Sequence, residues 1–184
     1  MKLDLSFWRS ASSKRKRIYS IIIIFIVAFI ATVIGSSIQL NSQEAHLLYD
    51  QVNQTLTEGL AHNTLTQDIF VNNFLIICLP MFIPIFGVVW GVFVMFDTGL
   101  ALSSISFVKG YPVWFGLLNL ILTPVFWIEF AAYSIAMSAS IWLARRLMRH
   151  QWGELKNTAI LIAICAGILI VGAIVEVWLI NLGI

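Results

Sequence analysis

Apolar runs separated by short polar breaks fill most of the chain, and five of them have the length expected of membrane crossings. The pattern predicts an all-α, polytopic transmembrane bundle in one membrane domain, 1–184. Its spans fall at about 18–40, 69–96, 98–122 (broken), 124–144 and 158–182. The first run, Ile18 to about Leu40, is rich in β-branched residues. A helix is still expected, because in lipid only internal hydrogen bonds satisfy the backbone. Lys2, Arg9 and the run Lys14-Arg15-Lys16-Arg17 precede it and mark the cytoplasmic side. The apolar core of a signal peptide spans roughly 7–15 residues, so this longer run reads as a retained anchor.

The hydrophilic connection 41–68 carries Glu44, Asp50, Glu58 and Asp68 and no Lys or Arg, which suits the external side. Leu48, Val52, Leu56 and Leu60 recur every four residues, so an amphipathic helix is expected on the bundle or membrane surface. A docking surface for an external partner is the alternative. Asn41 with Glu44 forms a capping-box pattern at its start, and Thr64 with Gln67 repeats the pattern before the next apolar run.

Pro80, Pro84, Gly87 and Gly91 interrupt the second run and predict a kinked span. Gly87 and Gly91 have the GxxxG spacing of a close helix approach. Asp97 is expected to cap a short helix from Thr98 to Val108, which Lys109-Gly110-Tyr111-Pro112 breaks. Thr123 to Trp142 then reads as the central helix, with small residues, Ala132 and Ala136 among them, inviting close packing. Arg145, Arg146 and Arg149 form a second cytoplasmic cluster, and the last run crosses outward.

Topology follows by parity. An odd number of crossings must join an external residue 68 to an internal residue 145, and three suit the apolar content. The total is then five, with the N-terminus inside, the C-terminus outside and Lys109 snorkelling toward the inner interface. Four full spans plus a re-entrant segment is the competing count.

Composition narrows the function. Sixty per cent hydrophobic and 11% charged residues place the chain in the cell membrane, with no room in 184 residues for a separate soluble catalytic domain. Cys78 and Cys165 lie in apolar runs and read as small buried hydrophobes. HExxH, GxSxG, phosphate-binding glycine loops and zinc-type Cys/His spacings are missing, so no catalytic, metal or cofactor site is expected, and no nucleic-acid partner. His46, His62 and His150 read as solvated side chains, and Trp152 and Trp178 as interfacial anchors.

The intramembrane polar residues cluster by depth. Asn72 and Asn73 lie just inside the external end of the second span, and Asn119 and Thr123 near that of the third. Glu129, five residues past Pro124, lies about 7–8 Å deep, and Glu176, six residues before Leu182, about 9 Å. An acid in lipid costs roughly 2.5–3.5 kcal/mol on insertion scales, so it needs a partner or a task. Two such carboxylates brought together would share a proton, with asparagine amides donating to them. A polar staple between helices, a proton or cation site, and an external substrate or peptide site all fit Asn72, Asn73, Asn119, Glu129 and Glu176.

The pattern resembles the stage II sporulation protein M family of prokaryotic membrane proteins. Phe70-Val71-Asn72-Asn73 is similar to its F-x-N-N, and Asp97-Thr98-Gly99 to its polar-Gly turn. Pro124 precedes Glu129 as in P-H-G-x-x-E, with Val125 and Phe126 in place of His and Gly. Gly172-Ala173-Ile174-Val175-Glu176 is similar to its terminal A-x-x-x-E. The resemblance implies a membrane platform for other proteins and not an enzyme. The sequence thus predicts a non-catalytic scaffold or accessory subunit, its partners the lipid bilayer and other membrane protein subunits. A transporter or permease component using Glu129 and Glu176, or an auxiliary subunit of a membrane enzyme with its catalytic centre on other chains, are the alternatives.

Overall fold

The structure, a computed structural model, describes residues 12–182. Lys2, Arg9 and the side chain of Leu56 lie outside the described residues. The helices are, in chain order, α1 (Ser13–Ser36), α2 (Ser42–Ala61), α3 (Leu65–Phe82), α4 (Phe86–Lys109), α5 (Val113–Leu122), α6 (Pro124–Leu147) and α7 (Glu154–Asn181). Among the described residues there is no strand. Helices α1, α3, α4, α6 and α7 are long and apolar enough to cross a membrane, and the chain is a multi-pass protein of the cell membrane. Helix α5, with 10 residues, spans about 15 Å of a hydrocarbon core about 30 Å thick.

The crossings divide differently from the sequence expectation. The run 69–96 is not one kinked span: α3 ends at Phe82 and α4 starts at Phe86, so the chain reverses at Ile83-Pro84-Ile85. Two prolines four residues apart carry the reason. Pro80 and Pro84 both lack an N–H, and Pro84 holds Ile83 extended (φ −65°, ψ 127°). Ile85 then adopts φ 66° and ψ −54°, and Phe86 N–H donates to the Pro84 carbonyl at 2.7 Å. That is a γ-turn of the strained hand, at a β-branched residue. Ser140 of α6 donates to the Ile83 carbonyl at 2.7 Å and secures the turn.

The expected break at 98–122 moves as well. Asp97 caps nothing: Asp97-Thr98-Gly99 lies inside α4, whose 24 residues are continuous. Lys109 ends that helix beside the α1–α2 connection, where Ser103 donates to Ile38 O at 2.9 Å and Ser104 to Ala45 O at 2.6 Å. It therefore lies at the opposite end of the bundle from the basic clusters, and not among them as the broken third span implied. Three crossings, α3, α4 and α6, still separate Asp68 from Arg145.

Helix α6 is the centre: 61% of its apolar stretch is buried inside the protein, against 22–33% for the other four crossings. Ala132 and Ala136 are fully buried. Gly91 of α4 faces Met137 of α6, so any larger residue would strike that side chain, while Gly87 packs on the Met81 backbone across the turn. The tightest crossing went unpredicted. Gly35 of α1 lies against Phe96 O of α4, and Gly99 of α4 against Thr32 O, while Thr32 Oγ1 donates to Met95 O at 3.0 Å. Outward, α1 shows Ile22, Ile26, Ile30 and Ile34, about half exposed, as a lipid-facing side chain should be.

Candidate functional site

The polar cluster is built on an irregular stretch of α3. Residues Leu65–Phe70 are α-helical, Val71–Cys78 π-helical and Leu79–Phe82 a 3₁₀ turn. Leu79 N–H bonds to Phe74 O, the i→i−5 pattern of the wider helix. The Pro80 ring follows directly, and the indole of Trp90 donates to the Ile77 carbonyl at 3.2 Å. Asn72 and Asn73 lie within the π-helical stretch. Asn72 Nδ2 donates to Asn73 Oδ1 at 3.1 Å, and Asn73 Nδ2 donates to Glu129 Oε1 of α6 at 2.5 Å. An amide relay thus joins α3 to the acid of the central helix.

Glu129 and Glu176 both line two adjoining cavities of about 320 and 550 Å³. The cavities share Val52, Asn72, Asn73, Glu129 and Glu176. The smaller cavity adds Asp68 and Thr55, and the larger adds Asp97, Thr98, Thr123 and Tyr133. Among the described residues no Lys or Arg lines either cavity. Among the described residues no three His, Cys, Asp or Glu stand close enough to hold a metal ion, so the four acids are spread around the walls.

Helix α2 roofs this end. Its start is fixed by the expected capping box: Glu44 N–H donates to the Asn41 side chain at 2.9 Å, and Asn41 N–H to the Glu44 carboxylate at 3.1 Å. Ala45 is fully buried against α4, and Val52 and Thr55 overhang the cavities. The second capping box does not form. Thr64 donates its hydroxyl to Asp68 at 2.6 Å, and its backbone is already helical, so its oxygen caps no N–H. Asp68, a cavity wall, is positioned by that bond.

Asn119 does not join the cluster. It is exposed on α5 and lines neither cavity, because α5 turns its small face, Gly116, toward Leu102 and Ser106 of α4. Asp68, Asp97 and Tyr133 were not expected there. For Asp97 no periodicity signal existed while it was read as a cap, but Tyr133, one turn beyond Glu129, could have been placed by helical spacing. Phe126 packs among Phe25, Phe29 and Phe130.

Away from this end the core is apolar, and the groove of about 540 Å³ between α3, α6 and α7 is lined almost wholly by apolar side chains. Met137, Cys78, Cys165 and Leu169 are almost fully buried, and Cys165 Sγ lies 3.5 Å from Ala132 O. At the far end Arg17 Nη2 donates to both Glu154 oxygens, at 2.5 and 2.7 Å. The cavities can therefore receive a polar or cationic group from one end, and the described side chains form no continuous polar path to the other.

The chain matches no protein-family profile, no curated protein and no solved structure.

Proposed function

We propose that this chain is a non-catalytic assembly subunit of a membrane complex, and that its cavity receives a cationic group from a partner subunit. One observation carries the reading: Asp68, Asp97, Glu129 and Glu176 line the adjoining cavities with no Lys or Arg beside them among the described residues. Among the described residues, Glu129 is answered by a neutral amide, that of Asn73. A charge in a membrane protein is otherwise paired, so this wall has electrostatic capacity to spare. The local resemblance to the stage II sporulation protein M family, whose namesake is a membrane platform, supports the same reading at Asn72, Asn73, Glu129 and Glu176. The basic clusters at the opposite end support an external position for this cavity, with the N-terminus inside and the C-terminus outside.

A photo-crosslinking residue in place of Thr55 tests this. The expected product is a discrete partner joined through a segment containing Lys or Arg, and it disappears in Glu129→Gln/Glu176→Gln while the protein's melting temperature holds. Crosslinks only to lipid or to the chain itself would overturn the reading. A transporter component is the second reading, favoured by the position of both glutamates within crossing helices. In that case the same double variant assembles normally with its partners and loses proton or cation flux in proteoliposomes.

A further inference from the structure

The basic clusters are far apart in sequence, and the fold joins them around one aromatic ring. The Arg17 guanidinium lies 5.2 Å from the Trp142 ring centre and that of Arg145 lies 5.5 Å from it, both within cation–π range. Residues 14–17 contribute four cations to this end, and Arg145, Arg146, Arg149 and Lys156 four more. Glu154 is the one acid there among the described residues, and it is already held by Arg17 and approached by Asn157 at 3.4 Å. Arg146 is bonded to a neutral partner, Gln151, and the side chains of Lys14, Arg15, Arg145, Arg149 and Lys156 are exposed.

The surroundings of these cations are apolar. Ile18, Met148, Trp152 and Leu155 are exposed beside them, at 56%, 70%, 63% and 47%. They lie where the crossing helices α1, α6 and α7 begin or end, the depth at which tryptophan and arginine meet headgroups. Five of the eight cations are arginine, whose planar fork matches a phosphate diester with two parallel hydrogen bonds.

From this charge complementarity we infer that the surface around Trp142 holds the headgroups of anionic phospholipids, in preference to zwitterionic ones. Exposed guanidinium groups take the phosphate, while Met148, Trp152 and Leu155 enter the acyl boundary beneath it. The sequence shows two separate basic runs; their union into one lipid-facing patch is a property of the fold.

Native mass spectrometry of the full chain released from mixed anionic and zwitterionic nanodiscs reads the preference. Anionic lipid should be retained well above its share of the mixture. Arg145→Gln and Arg149→Gln should each lower that enrichment by about fivefold, the factor expected for one cation near an anionic surface. Lys109→Gln, at the other end of the bundle, should leave it unchanged. A thermal melt in zwitterionic lipid, expected to match the parent protein, guards against misfolding. Equal retention of both lipids, or variants that retain as much as the parent, would overturn the inference. So would full displacement by inorganic phosphate, which would make this a site for the free anion.

Discussion

The two ends of the bundle hold carboxylates in opposite ways. Glu154, 7% exposed, receives two bonds from Arg17 and has a second donor nearby in Asn157. Glu129 receives one bond, from the amide of Asn73, and shares its cavities with Asp68, Asp97 and Glu176. The first arrangement is internally complete. The second leaves four carboxyl groups along open cavities with no cation beside them among the described residues. An acid whose charge is answered inside the chain fixes structure, whereas one answered only by an amide is free to bind something else.

If that contrast is right, removing each acid's partner should have very different costs. Arg17→Ala strands Glu154 and should lower stability by about 3–5 kcal/mol, seen as a large drop in melting temperature in detergent. Adding Glu154→Leu should recover most of that loss, since a hydrophobic residue there leaves no charge behind. A small effect of Arg17→Ala alone would mean the basic end is not closed by this pair.

At the acidic end the costs should be smaller. Glu129→Leu leaves the Asn73 amide without its acceptor, a loss of about 1–3 kcal/mol, while Glu129→Gln keeps an acceptor and should cost less than about 1 kcal/mol. Chemical denaturation of both variants checks the order, and a Gln variant as damaged as Leu would show that the charge itself holds the fold.

The turn between α3 and α4 offers a small effect of the opposite sign. Strain at a residue held in such a backbone region is about 1–3 kcal/mol, and the entropic cost of glycine about 0.5–1 kcal/mol. Ile85→Gly should therefore raise stability by up to about 1–2 kcal/mol, measured as an increase in melting temperature. A decrease would mean that the Ile85 side chain, 67% exposed, contributes more by its contact with lipid than its backbone costs.

The comparison also shows which parts of the molecule were readable beforehand. Glu129 and Glu176 were placed at like depth by counting helical rise from the ends of their runs, a calculation that needs no tertiary knowledge. The capping box at Asn41 is equally local. The reversal at Ile83-Pro84-Ile85 was not readable, because two prolines in an apolar run are compatible with a kink or a turn, and the choice depends on packing against Ser140 and Trp90. That reversal puts Asp97 within α4 rather than at a helix start, and Lys109 at the end of α4 beside the α1–α2 connection. Gly35 and Gly99 form no sequence motif together; their partnership exists only across the α1–α4 crossing.

The central claim, an externally open cavity with unanswered negative charge, is tested most directly by Asn72→Cys with Cys78 and Cys165 replaced by alanine. Asn72 is exposed and lines both cavities. A membrane-impermeant cationic thiol reagent added outside intact cells should modify it at least about tenfold faster than an anionic reagent of the same size, with the ratio falling as salt rises. Equal rates for the two reagents, or modification only after the membrane is permeabilised, would contradict the account.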